Sequence, residues 1–300
     1  MKQPLITIGM PVYNCESTVA EAIASILNQT FQDWELVVYD DGSTDATAEV
    51  AREFRDPRIR VLEGEVNLGL AARLNQIAGG CKSDFFARMD GDDIAYPERL
   101  ELQLETLEAD PAVDLLGGSV IIIDQYGKAI GFRRALETHR EICGHPWRFS
   151  NLVHVTWMGR TAWFKSNPYD ASLINSQDRA LLFRTRNRSR FAALPDILAA
   201  VREDRPVWSK LLRGRKHLVR STVIEAMHQR DFGFMCICPL AEAVKLGLDA
   251  VATSTSLDHR LLRHRVPFVP AKHVEEWEGV LKAVRSRTPS AAEESKGTSE

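Results

Sequence analysis

Short apolar runs alternate with amphipathic segments along the first hundred residues of this 300-residue chain. The first amphipathic segment opens with Thr18 and Glu21 at the spacing of a capping box. The alternation predicts strands at 5–8, 35–39, 59–62 and 84–89 and helices at 17–27, 44–54, 69–78 and 97–108. Short helical crossovers require parallel strands, so an α/β fold is expected, with a mostly parallel sheet and helices on both faces.

The pattern weakens after the fourth predicted strand. Further strands are predicted at 113–116, 119–124, 191–193 and 197–201, with a helix at 179–186. Residues from 206 onward are rich in helical patterns, and the last fifteen or so lack apolar periodicity. The predicted organisation is an α/β domain at 1–205, a helical C-terminal extension at 206–285 and a disordered tail at 286–300.

Three polar motifs directly follow predicted strands. They are Pro11-Val12-Tyr13-Asn14, Asp40-Asp41-Gly42-Ser43 and Asp90-Gly91-Asp92-Asp93. Loops that leave the carboxyl ends of parallel strands open on the same edge of the sheet. We therefore expect these motifs to meet in one crevice, although they lie far apart in the sequence.

The second and third motifs carry a high density of carboxylates, which repel one another unless a cation is bound. Oxygen ligands without nearby His or Cys favour Mg²⁺ or Mn²⁺, and such an ion usually completes its shell with water and substrate phosphates. The expected ligand is therefore a metal-bound diphosphate, as in a nucleotide-sugar. The alternative for Asp40-Asp41-Gly42-Ser43 is an ordinary turn that precedes a helix.

Composition narrows the class of protein. The net charge of -3 and the pI of about 6.3 give no basic field for nucleic acid. No apolar stretch is long enough to span a membrane, and no signal peptide is evident. The five scattered cysteines are typical of reduced thiols, which predicts a cytoplasmic protein.

Basic and apolar residues alternate at 208–230, which indicates either peripheral contact with the inner face of the cell membrane or a solvated helix face.

The motifs together resemble the family 2 glycosyltransferases, which are inverting enzymes with the GT-A fold that use nucleotide-activated sugars. The resemblance is strong over residues 4–125 and fades by about 202. The segments that carry it, besides the three motifs above, are Gln29-Thr30-Phe31, Thr44-Asp45, Asn67-Leu68-Gly69-Leu70-Ala71, Arg88-Met89 and Pro97-Glu98-Arg99-Leu100. The resemblance implies that 1–205 is the catalytic domain of a non-processive enzyme of bacterial type.

The resemblance also implies roles for individual residues. Asp178 matches the catalytic base, and Asp90 and Asp92 match the metal and ribose ligands, with Asp93 a second-shell or metal candidate. Asp41 matches the residue that accepts a hydrogen bond from the nucleobase imide, with Asp40 beside it. The other implied contacts are Pro11, Tyr13 and Glu16 to the nucleotide, Asn67 and Arg73 to the nucleotide-sugar, and His154 and Gln177 near the acceptor.

The second half of the chain departs from the family pattern. Gln177 stands where the family usually has Glu, and the Tyr-Arg-x-His ending is reduced to Val201-Arg202-Glu203-Asp204. The Gln-x-x-Arg-Trp motif of processive members is missing, which favours transfer of a single sugar.

The expected activity is the metal-dependent, inverting transfer of a sugar from a nucleotide-sugar, with uridine as the favoured nucleotide. The expected acceptor is a polysaccharide, lipid-linked or other glycan of the cell envelope. The alternative is a nucleotide-sugar-binding or scaffold protein that has lost transfer.

Overall fold

The computed structural model describes residues 3–144, 152–173, 176–203, 219, 223–224, 226–227, 232–254 and 269–289. One mixed sheet is formed by strands β1 (Ile6–Val12), β2 (Trp34–Asp40), β3 (Ile59–Glu63), β4 (Phe85–Arg88), β5 (Ile94–Ala95), β6 (Leu115–Ile123), β7 (Ala129–Arg133), β8 (Met158–Arg160) and β9 (Phe191–Arg202). The helices are α1 (Val19–Leu27), α2 (Thr47–Arg52), α3 (Leu70–Gly80), α4 (Arg99–Ala109), α5 (His139–Gly144), α6 (Thr161–Ser166), α7 (Gln177–Thr185), α8 (Phe232–Ser254) and α9 (Ala271–Arg285).

The first half of the sheet is parallel, as predicted. The order β3-β2-β1-β4 places β1 in the middle, paired in parallel with both β2 and β4. All seven residues of β1 are buried, because helices cover both faces of a central parallel strand. The carboxyl ends of β1, β2 and β4 therefore meet at one edge.

The second half of the sheet differs from the prediction in its strand boundaries. The two runs predicted at 113–124 form the single strand β6, and the two predicted at 191–201 form the single strand β9. Gly117 lies inside β6, where its lack of a side chain leaves room for Leu152. A Cβ at this position would lie 2.5 Å from Leu152 Cδ1. Pro195 is accommodated on β9 where the pairing with β6 shifts register.

The capping box predicted at the start of α1 does not form its expected hydrogen bond. Thr18 is the residue before the first helical turn, but its side chain does not cap that turn. Its hydroxyl instead donates to the carbonyl of Gly91, 3.0 Å away. Thr18 therefore ties α1 to the loop that follows β4.

Helix α9 packs on the same sheet. Trp277 is fully buried, stacks on Tyr96 with ring centroids 6.1 Å apart, and donates from Nε1 to the carbonyl of Gly127 at 2.7 Å. Within the described residues, none of the helices is sufficiently long and apolar to cross a bilayer. The tail predicted at 286–300 lies largely outside the described residues, as does most of 208–230.

Candidate active site

A cavity of about 360 Å³ opens between the loops that follow β1 and β4. Its walls include Tyr13 and Asn14 from the first loop and Asp90 and Asp92 from the second. The two loops meet because β1 and β4 are adjacent, with the Met89 amide donating to the Gly9 carbonyl at 3.0 Å. The remaining lining residues are Pro11, Val12, Cys15, Ser17, Thr18, Gly91, Gln125 and Arg202. Two of the three polar motifs thus share one cavity.

Three carboxylates are gathered beside this cavity. Asp90, Asp92 and Asp93 each offer an oxygen within 4.8 Å of the others. Burial, together with the charge on Asp90, raises the pKa of Asp92 to about 6. Burial and the charges of both neighbours raise the pKa of Asp93 well above its usual range. The raised pKa values reflect repulsion among the three carboxylates, which a bound divalent cation would relieve. The all-oxygen set of ligands fits Mg²⁺ or Mn²⁺.

The three carboxylates are not equally available to a metal. Asp93 is buried and accepts a hydrogen bond from the Arg202 amide at 2.8 Å, so it serves the structure of the loop. Asp90 contacts the buried guanidinium of Arg88. The side chain of Asp92 reaches solvent at the cavity wall, although the protein packed around its carboxylate still restricts its hydration. Asp92 and Asp90 are therefore the candidate ligands.

Cation binding at this cluster is expected to weaken in acid. Only the ionised form of Asp92 would bind a cation, so protons would compete increasingly as the pH falls through about 6. We expect the affinity for Mn²⁺ to fall about tenfold between pH 7 and pH 5, since one proton is displaced. The electron paramagnetic resonance signal of unbound Mn²⁺, measured without nucleotide so that no phosphate titrates, would check this. An affinity that is equal at the two pH values would contradict it.

Asp41 does not line this cavity. Its carboxylate accepts from the amides of Leu68 and Gly69, at 2.8 Å each, and from Arg73 Nε at 2.6 Å. It thereby holds the loop that carries the exposed Asn67. Its own amide donates to the Val12 carbonyl at 2.8 Å, which keeps it at the same sheet edge as the cavity.

The Asp40-Asp41-Gly42-Ser43 segment is a turn, as the alternative interpretation held, and it also braces the β1 loop. Asp40 accepts from the amide of Ser43 at 3.1 Å, and the Ser43 hydroxyl accepts from the amide of Asn14 at 2.9 Å. Glu16 accepts from the Ala46 amide at 2.8 Å. The loops after β1 and β2 are therefore held as one unit, from which the half-exposed Tyr13 projects.

The residues predicted near the acceptor lie at the start of α7 and around Tyr169. The α7 helix begins at Gln177, so Asp178 sits in its first turn and is half-buried. Gln177 is buried, and its Oε1 has no hydrogen-bond partner among the described residues. Burial raises the pKa of the Tyr169 phenol, and the charges of Asp178 and Asp90 add to that effect. Both carboxylates therefore act electrostatically on the Tyr169 phenol.

His154 is held within an aromatic cluster. Its Nε2 forms a hydrogen bond with the Tyr169 hydroxyl at 2.9 Å, and its ring meets Trp157 edge-on at 4.6 Å. Burial and the positive charge of Arg88 lower its pKa well below the usual value. A neutral His154 thus acts on Tyr169, whose backbone is fixed in turn by the side-chain amide of Asn75.

Arg202 is a cavity residue that the sequence did not predict to be in the site. Its guanidinium donates to the carbonyls of Asp92 (3.0 Å), Asp124 (3.2 Å) and Gln125 (3.0 Å) and to Glu21 Oε2 (2.8 Å). The only sequence signal was the arginine retained in the reduced ending at 201–204. Arg202 therefore fixes the backbone of the candidate metal loop from the far end of β9.

Substitution of Arg202 is expected to destabilise this loop. Arg202→Gln should lower the free energy of unfolding by about 2 kcal/mol, because several carbonyls and one carboxylate lose a charged donor. Arg285 contacts the same Glu21 at 2.7 Å but is half-exposed, so Arg285→Gln is a matched control that should cost under about 1 kcal/mol. Urea denaturation would measure both. Arg285 also donates to the Tyr126 carbonyl at 3.0 Å, so equal costs would show that the buried contacts of Arg202 contribute no more than those of this half-exposed arginine.

Comparison with known proteins agrees with this geometry. The family model described as "Glycosyl transferase family 2" matches residues 7–167. Similar curated proteins include the putative glycosyltransferase EpsE of Bacillus subtilis, 39% identical over 127 residues (41% of this chain, 46% of that protein). Another is the Escherichia coli enzyme named UDP-Glc:alpha-D-GlcNAc-diphosphoundecaprenol beta-1,3-glucosyltransferase WfgD, 39% identical over 107 residues (36% and 42%). The chain spans about half the length of these relatives.

Solved structures show the same fold. Staphylococcus aureus TarS 1–349 in complex with UDP-GlcNAc has a TM-score of 0.61 at 18% identity, covering 95% of this chain and 81% of TarS. The mannosyltransferase PcManGT of Pyrobaculum calidifontis, in complex with GDP-Man and Mn²⁺, has a TM-score of 0.60 at 17% identity (96% and 88%). The expected GT-A fold is confirmed. Because the family model covers more than half of the residues, the chain belongs to glycosyl transferase family 2.

Proposed function

We propose that this chain transfers one sugar from a nucleotide-sugar to a hydroxyl group of a glycan acceptor, with inversion at the anomeric carbon and with a divalent cation at Asp90 and Asp92. The observation that carries the proposal is the cluster of three carboxylates within 4.8 Å of one another at a cavity between the β1 and β4 loops. A carboxylate pair that faces an open cavity suits a cation that also binds substrate phosphates.

The donor is proposed to lie along the edge formed by the β1, β2 and β4 loops. Pro11, Tyr13, Asp90 and Asp92 line the cavity where the diphosphate and its cation would be held. The Asp41 carboxylate already accepts three hydrogen bonds, one of them from the guanidinium of Arg73. Its proposed contact with a uracil imide would therefore be made beside that ion pair. Uridine is proposed as the nucleotide, because WfgD is named for a UDP-glucose donor and the TarS complex contains UDP-GlcNAc.

Asp178 is proposed as the general base. A sugar hydroxyl is a weak nucleophile, so a carboxylate must take its proton as the bond to the anomeric carbon forms. A bound divalent cation supplies Lewis-acid stabilisation of the charge that develops on the leaving diphosphate. The helical first turn of α7 fixes Asp178, and a single displacement without an enzyme nucleophile inverts the configuration.

The acceptor is proposed to be a polysaccharide or lipid-linked glycan of the cell envelope. WfgD is named for a diphosphoundecaprenol-linked acceptor, and a chondroitin synthase of Escherichia coli is 28% identical over 184 residues. The proposed role is therefore in polysaccharide biosynthesis, by single additions.

A screen of nucleoside diphosphates is the direct test. With Mn²⁺ present, we expect UDP to raise the unfolding midpoint by several degrees at a concentration about 100 times its Kd, because ligand binding adds roughly 2.7 kcal/mol there. GDP, ADP and CDP serve as comparisons in the same thermal-shift measurement. A larger shift with GDP would overturn the uridine assignment, and no shift with any of them would overturn donor binding.

The second candidate function is nucleotide-sugar binding without transfer. The observation that favours it is Gln177, whose buried Oε1 lacks a partner among the described residues where the family usually has a carboxylate. Release of nucleoside diphosphate from UDP-sugars with Mn²⁺ and a cell-extract acceptor separates the two functions. Release above that of Asp178→Asn supports transfer, whereas a midpoint shift without such release supports binding alone.

A further inference from the structure

The turn between β6 and β7 forms part of the wall of the cavity that Asp92 lines. Because β4 and β6 both pair antiparallel with β8, β6 runs in the same direction as β4, and β9 runs parallel with β6. The carboxyl ends of β6 and β9 therefore lie at the same edge of the sheet as those of β1 and β4. Gln125 follows the end of β6 and lines the cavity, as does Arg202 at the end of β9.

The backbone of this turn is held at four successive carbonyls, each of which accepts a hydrogen bond from a side chain. The donors are Arg202 to Asp124 (3.2 Å) and Gln125 (3.0 Å), Arg285 to Tyr126 (3.0 Å) and Trp277 to Gly127 (2.7 Å). The turn is thus fixed without any contribution from the side chain of Gln125. A residue on such a supported backbone is suited to precise contact with a substrate.

The side chain of Gln125 has no partner of its own. It is exposed at the cavity and forms no hydrogen bond with another residue that the structure describes. The neighbouring Asp124, in contrast, accepts at its carboxylate from the amides of Tyr126 and Lys128, at 2.9 Å each. The free amide of Gln125 can both donate and accept, which is what recognition of a sugar hydroxyl requires.

The order of the strands indicates which part of the donor Gln125 would contact. In the order β3-β2-β1-β4-β8-β6-β9, the β2 loop with Asp41 and the β6–β7 turn lie on opposite sides of β4. A donor whose nucleobase lies near Asp41 and whose diphosphate lies at Asp92 would therefore extend its sugar toward Gln125. The neutral amide suits a sugar, whereas phosphates are bound more strongly by cationic side chains.

We propose that Gln125 is a specificity-determining residue for the donor, and that its side-chain amide forms a hydrogen bond with a hydroxyl or acylamino group of the transferred sugar. The assignment rests on the proposed donor site and extends it from the diphosphate to the sugar. A site that hydrogen-bonds a substrate hydroxyl discriminates against sugars that lack it, because the covered amide would then have no partner.

Binding of UDP and UDP-sugars to Gln125→Ala tests this assignment. The probes are UDP, UDP-glucose and UDP-GlcNAc, titrated calorimetrically with Mn²⁺ and without acceptor. For the UDP-sugar that the unmodified chain binds more tightly, Gln125→Ala should weaken the affinity about fivefold, the effect of one neutral hydrogen bond. The Kd for UDP should change less than about twofold. The unfolding midpoint should stay unchanged, since the Gln125 side chain makes no hydrogen bond within the described structure.

Lys128→Ala is the matched control, because Lys128 is an exposed residue of the same turn that does not line the cavity. It should bind UDP and the UDP-sugar as the unmodified chain does. An equal loss in this control would overturn the assignment, because the effect would then belong to the turn and not to the amide of Gln125.

The comparison of UDP with the UDP-sugar separates failure of this assignment from failure of the donor site. Unchanged UDP-sugar affinity in Gln125→Ala, with UDP binding intact, would overturn the role of Gln125 alone. An equal loss of affinity for UDP and the UDP-sugar would also overturn it, since the contact would then be with the nucleotide. Failure of the unmodified chain to bind UDP would overturn the proposed donor site and this assignment together.

Discussion

Replacing Asp178 with asparagine is expected to reduce sugar transfer about 10³-fold, the contribution typical of a general base. Asparagine keeps the shape of the side chain in the first turn of α7 but cannot accept the proton of the acceptor hydroxyl. The Kd for UDP with Mn²⁺ should remain within about twofold, because the cavity proposed for the diphosphate is lined by the β1 and β4 loops and not by α7. Release of nucleoside diphosphate and titration calorimetry would measure the two quantities.

Asp196→Asn is the matched control for this change, since it removes an exposed carboxylate from β9 without altering the loops of the cavity. It should leave transfer at the level of the unmodified chain. Nearly normal turnover by Asp178→Asn would remove Asp178 from the role of base. Loss of UDP binding in the same variant would instead assign it to the donor site.

Replacing Asp92 with asparagine is expected to abolish the effect of Mn²⁺ on UDP binding. Loss of a metal ligand should weaken the Mn²⁺-dependent affinity by about 10²-fold or more, since even outer-shell changes cost 10–100-fold. Without metal, the variant and the unmodified chain should bind UDP alike. Titration calorimetry with and without Mn²⁺ would check both statements.

The metal-free Asp92→Asn protein should also unfold at a higher temperature. Burial and Asp90 raise the pKa of Asp92, so its charge is unfavourable in the folded protein at neutral pH, and the substitution removes that charge. Asp84→Asn is the control, because Asp84 is an exposed carboxylate at the opposite end of β4 from Asp90. A lower midpoint for Asp92→Asn would show that Asp92 stabilises the loop and does not strain it.

The donor half of the fold could be predicted because its order is local. Each strand from β1 to β4 is an apolar run followed by its own crossover helix, so parallel pairing followed directly. The strands β5 and β8 were missed because they have only two and three residues, too few for a periodic pattern, and β7 was missed because Gly131 interrupts its short apolar run. Gly117 and Pro195 resembled strand ends because close packing and register shifts leave no trace in a local pattern.

The only part of the site that could be predicted is the part whose position is set by the ends of the parallel strands. The meeting of Tyr13 with Asp90 and Asp92 follows from the topology. The inward direction of Asp41 toward Arg73 depends on the conformation of a loop, and the contact of Arg202 with Asp92 joins residues 110 positions apart. No sequence spacing encodes either contact. The role of Asp178 as base stays a prediction.

The sharing of Glu21 has a consequence for chimaeric proteins. Arg202 and Arg285 bind its two carboxylate oxygens, and Trp277 donates to the β6–β7 turn at Gly127. A transplanted C-terminal segment would therefore have to supply both a tryptophan and an arginine at these points on α9. A graft that lacks them would leave Glu21 with a single partner and uncover Tyr96, so compatibility between swapped segments is decided by two side chains of α9 that do not themselves line the cavity.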